Sequence, residues 1–214
     1  MKPFIEHIIA NSNELPPMQS SVYEYILGGN GLFIRTQRPE LEILIPVFHK
    51  KVYGLPTIKP YLKLIPGLVP KEIVTEMWRR SVMATDTNGK ATETLFHLTG
   101  VDNQWQLIQP EQMASASSCQ PSHDGAGSSY LTAAIECHSH NSMPAFFSVT
   151  DDADEGGVRV YAVLGKIFSS RPEIAVRVGI YRNYLLIPAV WVFELPIFLN
   201  DVLGGTHENQ TAQP

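Results

Sequence analysis

The stretch PKEIVTEMWRRSVMA, Pro70 to Ala84, has the clearest helical period in the chain. The pairs Ile73/Val74 and Met77/Trp78, together with Val82, fall on one stripe at helical spacing, and Pro70 suits the first turn of a helix. The segments on both sides of this helix are extended in character. The order of strand, helix and several strands therefore predicts an α+β domain with a mixed sheet.

Eight segments with strand character predict the strands. They are GLFIRTQ and ELEILIPVF before the helix, then ETLFHLTG, QWQLIQPE, YLTAAIEC, RVYAVLGKIF, EIAVRVGIY and AVWVFEL after it. A proline-rich connector ends near Gly67. We therefore expect a β-rich N-terminal extension over 1–66, a main domain over 67–202 and a disordered tail over 203–214.

The composition excludes several classes of partner. The chain has 21 acidic and 16 basic residues and a formal net charge of −5, which disfavours direct nucleic-acid binding. The most apolar segment, YLLIPAVWVFELPIFL, is too short and too interrupted by Pro188, Glu194 and Pro196 to cross a membrane. The two cysteines form no CxxC pair, which favours a reducing compartment. The composition predicts a soluble cytoplasmic protein.

A group of metal-ligand residues lies in HSHNSMPAFFSVTD, His138 to Asp151. On a strand, His138 and His140 project from the same face, so both imidazoles can reach one ion. The segment from Ser148 to Asp151 has the pattern of a helix start. Two imidazoles and one carboxylate, with a fourth position open to water, form the ligand set of a catalytic zinc site. We therefore expect Zn²⁺ on His138, His140 and Asp151.

A second interpretation of the same residues needs no metal. Ser-x-x-Asp is a variant of the capping box, so Ser148 and Asp151 could serve only to begin a helix. Asp152, Asp154 and Glu155 fit that role too, because carboxylates in a first turn interact favourably with the helix dipole.

The pattern H-x-H, seven residues, then S-x-x-D resembles the JAMM motif of the MPN/JAB metalloprotease family. Together with VLGKI and RPEIAVRVGIY, the motif is similar to family members encoded in bacterial, often plasmid-borne PRTRC gene clusters. The resemblance implies an α/β-type MPN/JAB fold over 67–202, with a mixed, largely antiparallel β-sheet flanked by helices and a β-rich N-terminal extension.

The family also uses a glutamate at the edge of the strand that follows the first long helix. Glu93 occupies that place, and the resemblance implies that it is the general acid-base of catalysis. Ser148 is the implied hydrogen-bond donor to the oxyanion. Glu136 is a rival because it shares the strand face of the histidines, whereas Glu72 and Glu76 fall in the predicted helix.

The resemblance further implies hydrolysis of a peptide or isopeptide bond after the C-terminal tail of a ubiquitin-like protein. An adenylating activating-type enzyme of the same gene cluster is a possible partner. The Ser- and Gly-rich segment from Met113 to Ser129 is predicted to be a mobile loop that could clamp the tail. A non-catalytic MPN scaffold and a zinc hydrolase of small amides are the alternatives. The sequence does not indicate whether the protein is a monomer or an oligomer.

Overall fold

The computed structural model describes residues 2–123 and 125–204. Most of the predicted disordered tail, from 205 onwards, lies outside the described residues. Within them, 40% of residues lie in strands and 13% in helices. The predicted α+β fold, an MPN/JAB sheet flanked by helices, is therefore wrong, because the protein is β-rich and contains several sheets.

The N-terminal sheet has five strands in the order in which they follow along the chain. They are β1 (Ile5–Ile9), β2 (Tyr23–Gly28), β3 (Gly31–Gln37), β4 (Leu41–His49) and β5 (Tyr61–Leu64). β1 pairs in parallel with β2, and the other neighbours are antiparallel. The strands predicted over GLFIRTQ and ELEILIPVF are confirmed.

The rest of the chain forms a larger sheet and a small hairpin. The strands are β6 (Leu95–Val101), β7 (Gln104–Ile108), β8 (Gln112–Ala114), β9 (Cys119–Pro121), β10 (Ile135–Ser139), β11 (Val158–Gly165), β12 (Glu173–Ile180), β13 (Asn183–Ile187) and β14 (Asn200–Asp201). The main sheet has the order β13-β12-β11-β10-β6-β7, with β14 beside β12, and β8 pairs with β9. β10 is parallel to β11, and β14 is parallel to β12.

The described residues contain one long helix, α1 (Lys71–Met83), as the 70–84 pattern predicted. Two short helices follow, α2 (Ser129–Thr132) and α3 (Val149–Asp154). The segment AVWVFEL, predicted as a strand, instead begins with a 3₁₀ turn at Ala189–Trp191 because Pro188 fixes a turn-compatible φ of −57°. None of the described helices is long and apolar enough to span a bilayer.

A second sheet covers the apolar face of the main sheet, and this explains the low helix content. Ile43 of β4 lies in the same fully buried cluster as Val160 of β11, Val176 of β12 and Met77 of α1. A sheet can bury an apolar face against helices or against another sheet, and the pattern of apolar residues within 67–202 is the same in both cases. The N-terminal strands and α1 share this core with the main sheet, so strands as well as a helix form the layer for which helices were expected.

The opposite face of the main sheet carries a polar row, His97, Glu136, Tyr161 and Arg177, from four adjacent strands. The strand register pairs His97 with Glu136, Glu136 with Tyr161, and Tyr161 with Arg177. His97, Tyr161 and Arg177 are buried. His138 follows Glu136 by two positions on β10 and so lies on this same face.

Candidate metal centre

The two histidines lie where β10 ends. His138 belongs to the strand, and His140 is the first residue beyond it. The backbone N–H of His140 donates to the carbonyl of Leu164 at 2.7 Å, which keeps this residue alongside β11. The Nε2 atoms of the two imidazoles are 3.3 Å apart. Both side chains therefore converge on one point.

Asp151 reaches the same point from the first turn of α3. Its Oδ1 lies 3.6 Å from His138 Nε2, while its Oδ2 accepts a hydrogen bond from the Ser148 N–H at 2.5 Å. One ligand atom from each of His138, His140 and Asp151 lies within 4.8 Å of the other two. The structure thus brings together the three residues that the sequence singled out as metal ligands.

The donor set and its spacing fit zinc. Two ligand atoms at roughly 2.0–2.2 Å from a tetrahedral zinc ion lie about 3.3–3.6 Å apart. The distance from His138 Nε2 to His140 Nε2 is 3.3 Å and that to Asp151 Oδ1 is 3.6 Å, so both fall in this range. His140 Nδ1 donates to the carbonyl of Pro144 at 3.0 Å, which leaves the Nε2 lone pair free for an ion. Burial lowers the pKa of His138 to about 4 despite the opposing attraction of Asp151, so its imidazole is held in the neutral form that binds metals.

Glu93 lies two residues before the start of β6 and is only 3% exposed. Its Oε1 is buried and has no hydrogen-bond partner in the described part of the chain. Burial, and after it the negative charge of Asp151, raises the pKa of Glu93 to about 7. A carboxyl group with such a pKa can both accept and release a proton near neutral pH.

The backbone around Glu93 is fixed by hydrogen bonds. The N–H of Glu93 donates to the carbonyl of Ser115 at 2.8 Å, and the N–H of Thr94 donates to Ser139 Oγ at 3.0 Å. The Leu95 N–H donates to Gln112 Oε1 at 2.7 Å. Sequence reasoning missed both supporting side chains. The position of Ser139 between the histidines was a usable signal, whereas nothing in the sequence pointed to Gln112.

The segment from Met113 to Ser129, predicted to be a mobile loop, includes most of a β-hairpin that borders the site. Asn141 Nδ2 donates to the carbonyl of Ala116 at 3.0 Å, and Gln120 Nε2 donates to Asp154 Oδ2 at 3.1 Å. The hairpin therefore contacts both the loop after the histidines and the end of α3.

Ser148 caps α3, and the capping box foreseen as the alternative interpretation is present. Ser148 Oγ accepts from the Asp151 N–H at 3.2 Å, and the Asp151 carboxylate accepts from the Ser148 N–H. The capping role and the metal role are compatible, because they use different oxygens of Asp151. The hydroxyl hydrogen of Ser148 remains available for a further hydrogen bond.

The rival glutamates have other partners or lie elsewhere. Glu136 Oε2 accepts a hydrogen bond from Arg159 Nη1 at 2.6 Å, so the charge of this carboxylate is balanced by an arginine. Glu76 is bound by two arginines of α1, and Glu72 is exposed on the same helix. Of the four glutamates considered from the sequence, Glu93 is the one with a buried, unpartnered oxygen.

No protein-family model matches this chain, and a search of curated proteins finds no significant relative.

Proposed function

We propose that this protein is a zinc-dependent metallopeptidase that hydrolyses the peptide or isopeptide bond after the C-terminal tail of a ubiquitin-like protein. The observation that carries the proposal is the convergence of His138, His140 and Asp151 beside Glu93, a buried glutamate with a carboxylate oxygen that has no hydrogen-bond partner among the described residues. Three protein ligands with a fourth position left for water are typical of catalytic zinc sites, and a nearby carboxyl group can carry the proton that hydrolysis must move.

Each residue has a separate task in this reaction. Zinc bound to the three ligands would polarise the scissile carbonyl and lower the pKa of a bound water to about 7. Glu93 accepts the proton of the attacking water and delivers it to the departing amine. The hydroxyl group of Ser148 donates a hydrogen bond to the oxyanion that forms from the reacting carbonyl.

The surroundings of the ligands suit an extended peptide. The hairpin over Gln112–Pro121 offers strand backbone at one border of the site, where a tail could bind by strand addition. The ring of Phe146 packs edge-on against His140 at 4.9 Å between centroids and is 44% exposed, so it can contact a substrate side chain. The ubiquitin-like class itself, and an adenylating activating-type enzyme as pathway partner, are proposed from the motif resemblance.

We further propose that the protein acts in the cytoplasm. Cys119 and Cys137 are the chain's two cysteines, and both are free thiols. Free thiols are typical of a reducing compartment.

The first test is the zinc content of the purified protein. Native mass spectrometry of the wild type and of His140→Ala, prepared without chelator, should find one zinc per chain in the wild type and none in the variant. His49→Ala is the control, because this histidine is exposed on β4. Absence of zinc from the wild type after supplementation at neutral pH would contradict the proposal.

The second test is cleavage. Fluorogenic coumarin amides of the C-terminal tails of a panel of ubiquitin-like proteins serve as substrates for the zinc-loaded wild type and for Glu93→Gln. We expect Glu93→Gln to retain zinc and to lose about 10²–10⁴-fold in rate. Equal activity of the two proteins would remove Glu93 from the mechanism. Zinc binding without cleavage of any tail would favour a scaffold or a small-amide hydrolase.

A further inference from the structure

The helix that carries Asp151 has little apolar surface with which to hold itself in place. None of the six residues of α3 is buried. The capping box fixes Asp151 relative to the backbone of Ser148, but it does not fix the helix relative to the strand that carries His138. Some other interaction must set the distance between Asp151 and the histidines.

Arg177, from the middle of β12, makes contacts with α3 that can set this distance. Its Nη1 donates to Asp152 Oδ1 at 2.5 Å, and its Nε donates to Glu155 Oε2 at 2.7 Å. Asp152 lies within α3, and Glu155 is the residue at its end. One buried guanidinium therefore holds two points of the helix that supplies the third metal ligand.

Two aromatic rings complete the contacts of this guanidinium. The Arg177 guanidinium carbon lies 4.1 Å from the ring centroid of Phe147, which precedes α3, and 4.0 Å from that of Tyr184 on β13. The Tyr184 hydroxyl donates to the carbonyl of Glu155. Cation–π contacts and hydrogen bonds from the planar guanidinium to two different carboxylates both restrict the orientation of this arginine, so the position of α3 is defined in several directions.

We propose that Arg177 is a positioning residue of the metal centre, which holds α3 against the sheet so that Asp151 reaches the ion bound by His138 and His140. Arg177 is on the same sheet face as His138 but does not belong to the ligand group. The inference rests on the proposed zinc site and extends it to a residue that acts through Asp151.

The test is the dissociation constant for zinc, measured by chelator competition for the wild type, Arg177→Met, Asp151→Asn and the double variant. Loss of a hydrogen-bond partner of a metal ligand typically costs about 10–100-fold in metal affinity. Arg177 contacts the neighbours of Asp151 and not Asp151 itself, so we expect Arg177→Met to weaken binding by about 10-fold, the lower end of this range. Because Arg177 acts through Asp151, the double variant should bind zinc no more weakly than Asp151→Asn alone. Wild-type affinity in Arg177→Met, or losses that multiply in the double variant, would overturn the proposal.

Two further variants separate positioning from general stability. Arg177→Lys keeps the charge but loses the fork, and its zinc affinity should fall between those of the wild type and Arg177→Met. Arg35→Met is the matched control, because Arg35 is equally buried and is paired with Glu24 in the N-terminal sheet. Arg35→Met should lower the stability of the protein and leave zinc affinity unchanged. An equal loss of zinc affinity in Arg35→Met would show that Arg177 affects zinc binding only through the general stability of the protein.

The inference can be tested even if Arg177→Met does not fold or if the wild type binds no zinc. Asp152→Asn removes one partner of Arg177 at a half-exposed site, and it should weaken zinc binding several-fold. In metal-free protein, amide hydrogen exchange over 148–155 should be faster in Asp152→Asn than in the wild type. Unchanged exchange in protein whose wild type binds zinc would contradict the role of Arg177 alone. Absence of zinc from the wild type would contradict the proposed function and with it the metal-positioning role, and faster exchange would then show only that Arg177 holds α3 against the sheet.

Discussion

Asp151 Oδ1 lies 3.6 Å from His138 Nε2, although one residue belongs to a helix and the other to a strand of the main sheet. The second oxygen of the same carboxylate accepts the N–H of Ser148 and so caps the helix. One carboxylate therefore joins the local structure of α3 to the candidate metal centre. The behaviour of variants at these positions follows from this division of the two oxygens.

Asp151→Asn should lose zinc without losing the helix. The amide oxygen of asparagine can still accept the Ser148 N–H, but the charged ligand is gone. We expect zinc affinity to fall by more than the roughly 10–100-fold that an outer partner costs. Chelator competition measures the loss, and circular dichroism should show an intact fold. Asp154→Asn, an exposed neighbour on α3, is the control and should bind zinc normally.

Ser148→Ala should affect both stability and catalysis. Loss of the N-cap acceptor costs about 1 kcal/mol of unfolding free energy, and loss of an oxyanion donor costs roughly 10²-fold in rate. Ser148→Thr keeps the hydroxyl group and should retain most of both properties. Denaturant titration and tail cleavage give the two readouts. A rate loss no larger than the loss of folded protein would leave Ser148 with the capping role alone.

The buried, neutral state of His97 should make the folded protein less stable in mild acid than at neutral pH. Burial, and after it the positive charge of Arg159, lowers the pKa of His97 to about 4. The unfolded chain, with a pKa near 6.5, binds the extra proton first, so stability falls as the pH decreases from about 6.5 towards 4. At pH 5 the His97 contribution to this loss is about 2 kcal/mol relative to neutral pH.

The measurement compares the metal-free wild type with His97→Gln by urea denaturation between pH 7.5 and pH 5. The wild type should lose more stability than the variant over this range, because glutamine does not titrate. Parallel curves for the two proteins would show that His97 is protonated equally easily in both states.

Ile43→Ala should destabilise the whole chain in one transition. Ile43 is fully buried in the cluster shared by the N-terminal sheet and the main sheet. Truncation of such a residue costs about 2–5 kcal/mol. Ile197→Ala is a control, because Ile197 is 93% exposed and should change stability little. Two separate thermal transitions, with only one of them shifted, would show that 1–66 and the remainder unfold independently.

The sequence by itself determined the local elements and the identity of the candidate ligands. The helical period at Pro70 to Ala84 and the alternation of β4 depend only on residues close together in the chain, and both elements are present. The convergence of His138, His140 and Asp151 also depends on residues close together in the chain. The two histidines lie where a strand ends and Asp151 lies where the next helix begins, and this brings the three side chains near one another.

The tertiary structure alone decided the architecture and the supports of the site. The apolar face of the main sheet packs against strands of the N-terminal sheet as well as against α1, because the N-terminal sheet supplies a matching apolar face. A local sequence pattern does not identify which element an apolar face will pack against. The sequence alone did not distinguish Glu93 from Glu136 as the catalytic glutamate. In the folded protein, Glu136 is paired with Arg159, whereas Glu93 has a buried carboxylate oxygen without a partner among the described residues. Arg177 of β12 contacts α3 across the sheet face. Contacts between residues far apart in sequence depend on strand order and register, and a short sequence motif does not contain that information.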